Sequence, residues 1–426
     1  MVVKSKLFYG WIIVGIVFLI MFVSYAVRDA FPLFYVPILD EFGRSRAETA
    51  LITSISFLVY GFSSAISGAF LDRFGPKKTF TLGAIIMGIG LIGCSQAREL
   101  WQIFIFWGVV FSLGMSAVGW VPCNALVSNW FTKKRATAVG IAQAGGRESF
   151  LLAPVTQSLI LSLGWRNTYL VQAAIAVILI ILFAQFLKPS PKNVVLSPNN
   201  GDEYKGMRGS KGSRGDRLII NQEWAAIDWT LIRAIRTSRF WFLLVASFSN
   251  ATGFGIVMAH QVAFVVDLGF TAMFASFLLL IFGILSLVGR LSAFISDIVG
   301  REISYTIACT GITIGFLMLV LAKDPSSSWM LYVFAVFYGL FSGLTGPTMV
   351  ASEADIFLGQ HLGAIIGFIN IGFGLGNAVG SWFGGYIYDT FGSYFIAFVT
   401  SMVMMALACI SMWVASPRKV RVARLK

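Results

Sequence analysis

The segment GAFLDRFGPKK, residues 68–78, is a short basic loop between two long apolar stretches. A related segment, SAFISDIVGRE, residues 292–302, occupies the corresponding place in the second half of the chain. Proline and glycine positions repeat in the same order around both loops, so chance coincidence is a weak explanation. The matched pairs are Pro122 with Pro347, Gly140 with Gly367, Gly145 with Gly372, and Gly164 with Gly392. The repeat predicts two parallel halves with the same helices in the same order.

The composition excludes a soluble globule. Hydrophobic residues make up 57% and charged residues 12% of the 426 residues, and the mean hydropathy is +0.82. Polar side chains this scarce cannot cover a surface in water, so membrane lipid must be the outer solvent. The four cysteines all lie in apolar segments, which predicts packing residues rather than a disulfide framework or a metal site.

Long apolar runs recur from end to end, and about 20 apolar residues suffice to cross the hydrocarbon core. The run that follows Lys4 and Lys6 has no small-residue cleavage site, so we interpret it as a span and not as a signal peptide. The predicted fold is an all-α membrane protein with twelve transmembrane helices in two parallel six-helix repeats. Spans one to twelve are predicted at residues 8–37, 48–70, 79–97, 101–128, 137–163, 168–187, 239–264, 271–296, 303–322, 329–351, 362–387 and 392–415. The predicted domains are a bundle at 1–187, a cytoplasmic linker at 188–238, a second bundle at 239–415 and a basic tail at 416–426.

The basic residues are concentrated in loops on one side of the predicted bundle. The opposite loops are short and nearly balanced, as in Arg98 with Glu99 and Lys323 with Asp324. Loops rich in lysine and arginine face the cytoplasm, so both termini are predicted inside a cell inner membrane. The net charge of +13 is then mostly topological, and we expect no nucleic-acid partner. The basic residues of the cytoplasmic side are Arg73, Lys77, Lys78, Lys133, Lys134, Arg135, Arg301, Arg418, Lys419, Arg421, Arg424 and Lys426.

The stretch from Pro189 to Arg236 interrupts the apolar rhythm. Its core, residues 199–217, is rich in glycine, serine and charge and cannot bury enough surface to fold. The segment from Asp228 to Arg239 differs, because Asp228 can cap a helix and three apolar residues form a stripe. The stripe consists of Leu231, Ile232 and Ile235. We therefore expect a short interfacial helix before span seven.

The two loop segments resemble the signature loop of the major facilitator superfamily and its second-half copy, and the resemblance covers essentially the whole chain. Further stretches are similar to the bacterial relatives of the monocarboxylate transporters and to the oxalate/formate antiporters. These stretches are YGW at 9–11, SYAVRDAF at 24–31, NWFTKKRATAVGIAQAGG at 129–146 and LSLVGRLSAFISD at 285–297. The resemblance implies a carrier whose solute site lies between the two halves.

An acidic residue stands at the inner end of spans two and eight. Asp72 can cap a neighbouring helix or pair with a basic residue such as Arg135. Contacts of this kind can hold the inner ends of the spans together and break when the carrier moves. The predicted cytoplasmic gate consists of Asp72, Arg73, Arg135, Asp297 and Arg301. That the basic residues also fix topology does not exclude the gate.

Arg290 in span eight is the strongest candidate for substrate contact. A charged residue inside a span costs roughly 2.5 to 3.5 kcal/mol on insertion scales unless it finds a partner or water. The resemblance implies that Arg290 is the span-eight arginine that binds the substrate carboxylate in monocarboxylate transporters, and a guanidinium fork suits a carboxylate. The alternative is that Arg290 snorkels to the inner interface. Ser286 replaces an aspartate of the mammalian transporters one turn earlier, so that route of proton coupling lacks its carboxylate here.

Two adjacent charged pairs lie in or near spans one and five. The apolar continuation AFPLFYVPIL, residues 30–39, favours a helix that carries Arg28 into the membrane, with Asp29 as counter-ion or proton carrier. An ordinary interfacial anchor is the alternative for this pair. Arg147 and Glu148 follow the glycine run in span five, and adjacent residues point about 100° apart on a helix. We predict that Arg147 is a second anion contact and that Glu148 is a proton site.

Polar and aromatic residues of four other spans complete the predicted cavity. His260 near the outer end of span seven can bind solute or titrate, and the resemblance places a substrate-facing histidine in this helix. A satisfied interfacial histidine is the alternative. For each aromatic residue, packing is the favoured alternative. The remaining predicted substrate-binding residues are Trp120, Asn124, Tyr338 and Asn370.

No phosphate-binding GxxxxGK[ST] segment and no readable nucleophile–base pair occurs in the sequence, so we expect neither an enzyme nor a cofactor. Three intramembrane arginines favour an anion over a cation. The sequence therefore predicts a monomeric secondary transporter of small organic anions, in particular monocarboxylates, by proton symport or anion exchange. The alternatives are an exporter of hydrophobic or cationic compounds and, from another class, a transporter-like membrane sensor.

Overall fold

The predicted apolar spans are helices in the computed structural model, which describes residues 9–131, 135–146, 148–188, 220–227, 229–357 and 362–420. No strand occurs in these ranges. The helices of the first half are Tyr9–Asp29, Phe31–Phe42, Arg46–Phe74, Pro76–Ser95, Leu100–Ile103, Phe104–Phe111 (a π-helix), Ser112–Val118, Trp120–Trp130, Arg135–Ala144, Glu148–Leu152 (a 3₁₀-helix) and Ala153–Gln185. Those of the second half are Gln222–Ala226, Leu231–Ile235, Ser238–Asp267, Ala272–Leu291, Ile295–Val299, Arg301–Leu321, Ser328–Ile356, Leu362–Phe391 and Phe395–Ala415, with 3₁₀-helices at Ser292–Phe294, Pro325–Ser327 and Pro417–Lys419.

The helix count agrees with twelve spans if one bent pair of helices counts as one span and one very long stretch counts as two. Among the described residues, ten helices are long and apolar enough to cross a membrane, and an eleventh is the pair Arg46–Ser64 and Ile66–Phe74, bent by 43°. The stretch Ala138–Gln185 has 48 residues, more than one crossing needs. Gly164 divides it with φ 79° and ψ 158°, a conformation that a residue with a Cβ rarely adopts. Predicted spans five and six therefore meet at Gly164.

Span one continues beyond the charged pair, as the apolar sequence predicts. The structure has one apolar stretch from Tyr9 to Phe42, 34 residues long, interrupted only at Ala30. At about 1.5 Å per residue this is longer than the hydrocarbon core is thick. Arg28 and Asp29 consequently lie at the turn between the two helices of this stretch and not at its outer end.

The chain packs into two compact units. In the first unit, span one packs against the helices of spans four and five, and span three packs against span four. In the second, span seven packs on spans eleven and twelve, and span ten packs on spans eight and nine. Residues 32–58 and 153–158 group with the second unit, although chain order assigns them to the first half. The predicted domain boundaries, which follow chain order, stay a prediction.

The linker ends in two short helices on the core of the second unit. The indole of Trp224 donates to the carbonyl of Ile356 at 2.7 Å, and the indole of Trp229 donates to Trp224 at 3.2 Å. Thr230 caps helix Leu231–Ile235 by accepting from the Arg233 N–H, whereas Asp228, the expected cap, lies outside the described residues. Only two of the three residues of the expected apolar stripe are packed. Leu231 and Ile235 pack on the core, whereas Ile232 is 68% exposed.

Candidate functional site

Span four is broken close to Pro122. One helix ends at Val118 and the next begins at Trp120, and Gly119 between them has extended backbone. Because proline has no N–H, the carbonyl of Val118 cannot receive the usual helical hydrogen bond. The Cys123 thiol donates to that carbonyl at 3.2 Å. The break also leaves the backbone N–H of Trp120 at the start of a helix, where it needs a partner outside the helix.

That partner is a tyrosine of span two. The hydroxyl of Tyr60 accepts from the Trp120 N–H at 3.2 Å and lies 3.0 Å from the hydroxyl of Tyr25. The guanidinium carbon of Arg28 lies 4.5 Å from the centre of the Tyr60 ring and 5.7 Å from that of the Tyr25 ring. Ring faces attract cations, so the two tyrosines position Arg28. We call Tyr25, Arg28, Tyr60 and Trp120 the tyrosine cluster.

Two of its members were predicted as site residues, and two were not. The structure brings the predicted Arg28 and Trp120 together, and the Trp120 ring meets the Tyr25 ring edge-on at 6.3 Å. Tyr25 and Tyr60 were missed, because a tyrosine in an apolar run is ordinarily a packing residue. The signal that could have found Tyr25 is its position three residues before Arg28 on one helix face. No signal in the sequence connects Tyr60 with the break in span four.

The other polar residues of the first unit make local contacts. A carboxylate oxygen of Asp29 accepts from the Ser149 hydroxyl at 2.9 Å, and the amide of Gln143 donates to Asn124 at 2.9 Å. The side chain of Glu148 and the whole of Arg147 lie outside the described residues. The substrate-binding and proton-coupling roles of these residues stay predictions.

Arg290 is half-buried in helix Ala272–Leu291, next to a very tight helix contact. Gly343 lets the backbone of span ten lie directly against the carbonyl of Ser286 and the N–H of Arg290. Ser286 is 1% exposed, and its hydroxyl has no hydrogen-bond partner within the described ranges. A guanidinium and an unused hydroxyl therefore lie one turn apart on span eight.

Tyr338, Asn370 and His260, the other predicted substrate-binding residues of the second unit, differ from one another in burial and contacts. Tyr338 is 1% exposed, and four phenylalanine rings surround it, with centres 4.9 to 6.1 Å away. Asn370 is exposed. His260 is fully buried, and its two ring nitrogens lie 2.8 Å from the Ser381 carbonyl and 3.2 Å from the Tyr394 hydroxyl. Solute contact at His260 would have to break one of these two hydrogen bonds.

The second-half part of the predicted cytoplasmic gate is a salt-bridge network. The Arg301 guanidinium pairs with Asp297 at 2.6 Å and with Asp355 at 2.8 Å, and it donates to Ser296 at 2.6 Å. Asp297 is 66% exposed, whereas Asp355 is 7% exposed. In the first half, Asp72 and Arg73 are exposed, and the side chain of Arg135 lies outside the described residues. A gating role for these residues stays a prediction.

Long apolar helices, tightly packed through glycines and carrying half-buried arginines, define a multi-pass helical membrane protein. The chain belongs to the Major Facilitator Superfamily, whose family model matches residues 17–327 and 291–425. This confirms the family and the fold that the loop segments predicted.

Among proteins of known name, the chain is similar to monocarboxylate transporters. The chain is 27% identical over 395 residues to monocarboxylate transporter 13 of Rattus norvegicus, covering 92% of this chain and 86% of that protein. It is 25% identical over 403 residues to monocarboxylate transporter 12 of Homo sapiens, covering 92% and 77%. The predicted resemblance to monocarboxylate transporters is therefore confirmed.

Solved structures show the same fold. A bacterial homolog of the human lysosomal transporter Spinster, solved in inward-facing and occupied conformation, has a TM-score of 0.70 at 16% identity, covering 97% of this chain and 98% of that chain. Its inward-facing, unoccupied form has a TM-score of 0.71 with the same coverage. At this identity the likeness concerns the fold alone.

Proposed function

We propose that the protein is a secondary active transporter of small organic anions, in particular monocarboxylates, that works by alternating access. The observation that carries this proposal is a half-buried guanidinium inside each unit, Arg28 in the first and Arg290 in the second. Buried cationic charge in spans is costly and is retained where it has a function. Relatives named monocarboxylate transporters support the same class of solute.

Arg290 is the proposed carboxylate ligand. Its planar fork offers two parallel donors to the two oxygens of a carboxylate, which distinguishes an acid from an amide or an alcohol. The buried hydroxyl of Ser286, one turn away, is available as a further donor. A bound carboxylate would neutralise the guanidinium, so loaded span eight carries less net charge than empty span eight.

Arg28 is the proposed second anion contact. The rings of Tyr25 and Tyr60 lie against its guanidinium and position it by cation–π attraction. We propose that this guanidinium contributes a positive potential to the first unit. We propose that Arg147 adds to this potential, and that Asp29 and Glu148 carry protons if transport is a symport.

Both termini are proposed to face the cytoplasm of a cell inner membrane, as loop charge indicates. Alternating access would then use Asp72, Arg73, Arg135, Asp297 and Arg301 as the inner gate. The pairing of Arg301 with Asp297 and Asp355 supports this role in the second half.

Uptake into proteoliposomes tests the proposal. A panel of labelled monocarboxylates is offered with and without an imposed pH gradient, to wild type, to Arg290→Ala and to Arg98→Ala, an exposed loop arginine that serves as the matched control. We expect Arg290→Ala to lose about tenfold or more of the uptake rate, since a hydrogen bond to a charged group contributes roughly 1.5–3 kcal/mol. Arg98→Ala should match wild type.

Each further outcome of that assay has a fixed meaning. Acceleration by an inward proton gradient indicates symport, and acceleration by internal anion alone indicates exchange. Undiminished uptake in folded Arg290→Ala would remove the main site assignment. Uptake of cationic compounds only would favour the exporter, and binding without transport would favour the sensor.

A further inference from the structure

Arg46, the first residue of the span-two helix, is fixed by a carboxylate of span seven. Its two terminal nitrogens donate to the two oxygens of Asp267 at 2.7 and 2.8 Å. This is the bidentate arrangement in which a guanidinium and a carboxylate fit best. The side chain of Arg46 is 13% exposed and that of Asp267 is 34% exposed, so water reaches one side of the pair.

A second carboxylate, from span eleven, holds the backbone at the same point. Asp389 accepts from the N–H of Arg46 at 2.8 Å and from the N–H of Ala47 at 2.7 Å. These are unpaired donors at a helix start, where an acceptor is needed and negative charge is favourable. The helix is thus capped by a residue more than three hundred positions away along the chain. Gly385, one turn before Asp389, allows this approach, because a Cβ there would lie 2.6 Å from the Ala47 nitrogen.

Aromatic residues enclose the guanidinium. Its carbon lies 3.7 Å from the centre of the Tyr388 ring, and one nitrogen donates to the Tyr394 hydroxyl at 2.6 Å. The Tyr35 hydroxyl donates to the carbonyl of Arg46 at 2.9 Å. Arg46 therefore has partners from spans one, seven and eleven and from the turn before span twelve.

The hydrogen bonds around Tyr394 have one consistent direction. The Ser381 carbonyl can only accept, so the His260 nitrogen facing it must carry a proton. Arg46 can only donate to Tyr394, which leaves the tyrosine proton for the other nitrogen of His260. A continuous series of hydrogen bonds thus links Asp267, Arg46, Tyr394 and His260. His260 lies within span seven. Breaking the series at Arg46 would disturb the environment of a predicted substrate residue.

We propose that Arg46, with Asp267 and Asp389, forms a latch that closes the carrier at the end of the spans that loop charge predicts to be external. The latch joins segment 32–58, from the first half of the chain, to helices of the second half. The proposal rests on the proposed alternating access, because an external latch has a function only if that end also opens.

The chemistry of the latch suits repeated opening and closing. A partly exposed ion pair contributes little to stability, because water solvates the separated charges almost as well. Opening therefore costs little per pair, whereas a buried apolar contact would cost much more to separate. The contacts of Arg46 still specify one closed arrangement, because its guanidinium donates to Asp267 and its backbone N–H donates to Asp389. Asp267 and Asp389 remain next to water when Arg46 leaves.

Accessibility of a reporter cysteine tests the latch. Ser54 lies on the same helix, two turns deeper than Arg46, is 5% exposed and donates to the Ala378 carbonyl at 2.6 Å. Ser54→Cys is placed in the full-length protein in membranes, and its reaction with a membrane-impermeant maleimide is timed from the external side. Protein without the reporter gives the background from the native cysteines. No carboxylate is present, so the result is independent of the transported solute.

We expect Arg46→Gln to raise the labelling rate roughly fivefold or more, the lower end of the coupling factors seen between linked sites. Asp267→Asn should act in the same direction, and exchanging the charges with Arg46→Asp and Asp267→Arg should restore slow labelling. Arg44→Gln is the matched control, since Arg44 is exposed and two residues away. Elution volume and melting temperature verify the fold of every variant.

The proposal is overturned if folded Asp267→Asn and Arg46→Gln label at the parent rate. It is also overturned if Arg44→Gln accelerates labelling as much as they do, because the effect would then be one of general surface charge. If Arg46→Gln does not fold, Asp267→Asn alone decides. Fast labelling together with absent carboxylate uptake in the wild type would support the latch and contradict the proposed function.

Discussion

At the scale of single residues, the environment of a charged or polar side chain matters more than its type. Arg28 is held by aromatic rings, Arg290 lies one turn from an unused hydroxyl, and the guanidinium of Arg46 is paired with Asp267 while its backbone N–H donates to Asp389. These three arginines cannot be distinguished by sequence alone, because their partners come from other helices. The hydroxyl of Tyr60 shows how much depends on such a partner.

Replacing Tyr60 with phenylalanine should lower the stability of the protein. The change removes the Tyr60 hydroxyl that accepts from the Trp120 N–H at the break in span four, and a typical hydrogen bond contributes about 0.5–1.5 kcal/mol. Tyr332→Phe is the control, because Tyr332 is 45% exposed. Thermal unfolding in detergent measures both variants. Equal melting temperatures for the two would show that the Tyr60 hydroxyl does not support the break.

At the scale of helices, apolar length and glycine position predicted the elements well. Span one continues to Phe42 because its apolar residues continue, and Gly164 separates spans five and six as the repeat with Gly392 suggested. The Gly119 break was not predicted, since the proline at residue 122 only indicates that some distortion occurs nearby. Contacts such as Asp389 with the start of span two are also beyond sequence reasoning, because nothing local links residues so far apart.

The inner end of span eight provides a test at this scale. Arg301→Gln removes the ion pairs of Arg301 with Asp297 and with the nearly buried Asp355. Losing one partner of a buried pair costs about 3–5 kcal/mol, whereas an exposed pair contributes roughly 0–1 kcal/mol. We therefore expect Arg301→Gln to lower the melting temperature far more than Asp297→Asn does. If the exposed Asp297 proves as important as Arg301, the pairing with Asp355 does not organise this end of the spans.

At the scale of the whole molecule, the family and the all-α membrane fold could be predicted from the sequence. The length of the apolar segments, the charge of the loops and an internal repeat can all be seen directly in the order of residues along the chain. The grouping of residues 32–58 with the second unit could not be predicted, because it depends on contacts among helices from both halves. The candidate site was predicted in part: its arginines stood out as charges in apolar runs, whereas its tyrosines did not.

The central claim is that half-buried guanidinium groups recognise a carboxylate, and ligand-induced stabilisation of the purified transporter tests it most directly. A monocarboxylate that the transporter carries and the corresponding primary amide, equal in shape and uncharged, are compared in wild type, Arg28→Gln and Arg290→Gln. We predict that the acid raises the melting temperature of the wild type, that the amide does not, and that Arg290→Gln abolishes the rise while Arg28→Gln weakens it. A full rise in folded Arg290→Gln, or an equal rise with the amide, would contradict the account.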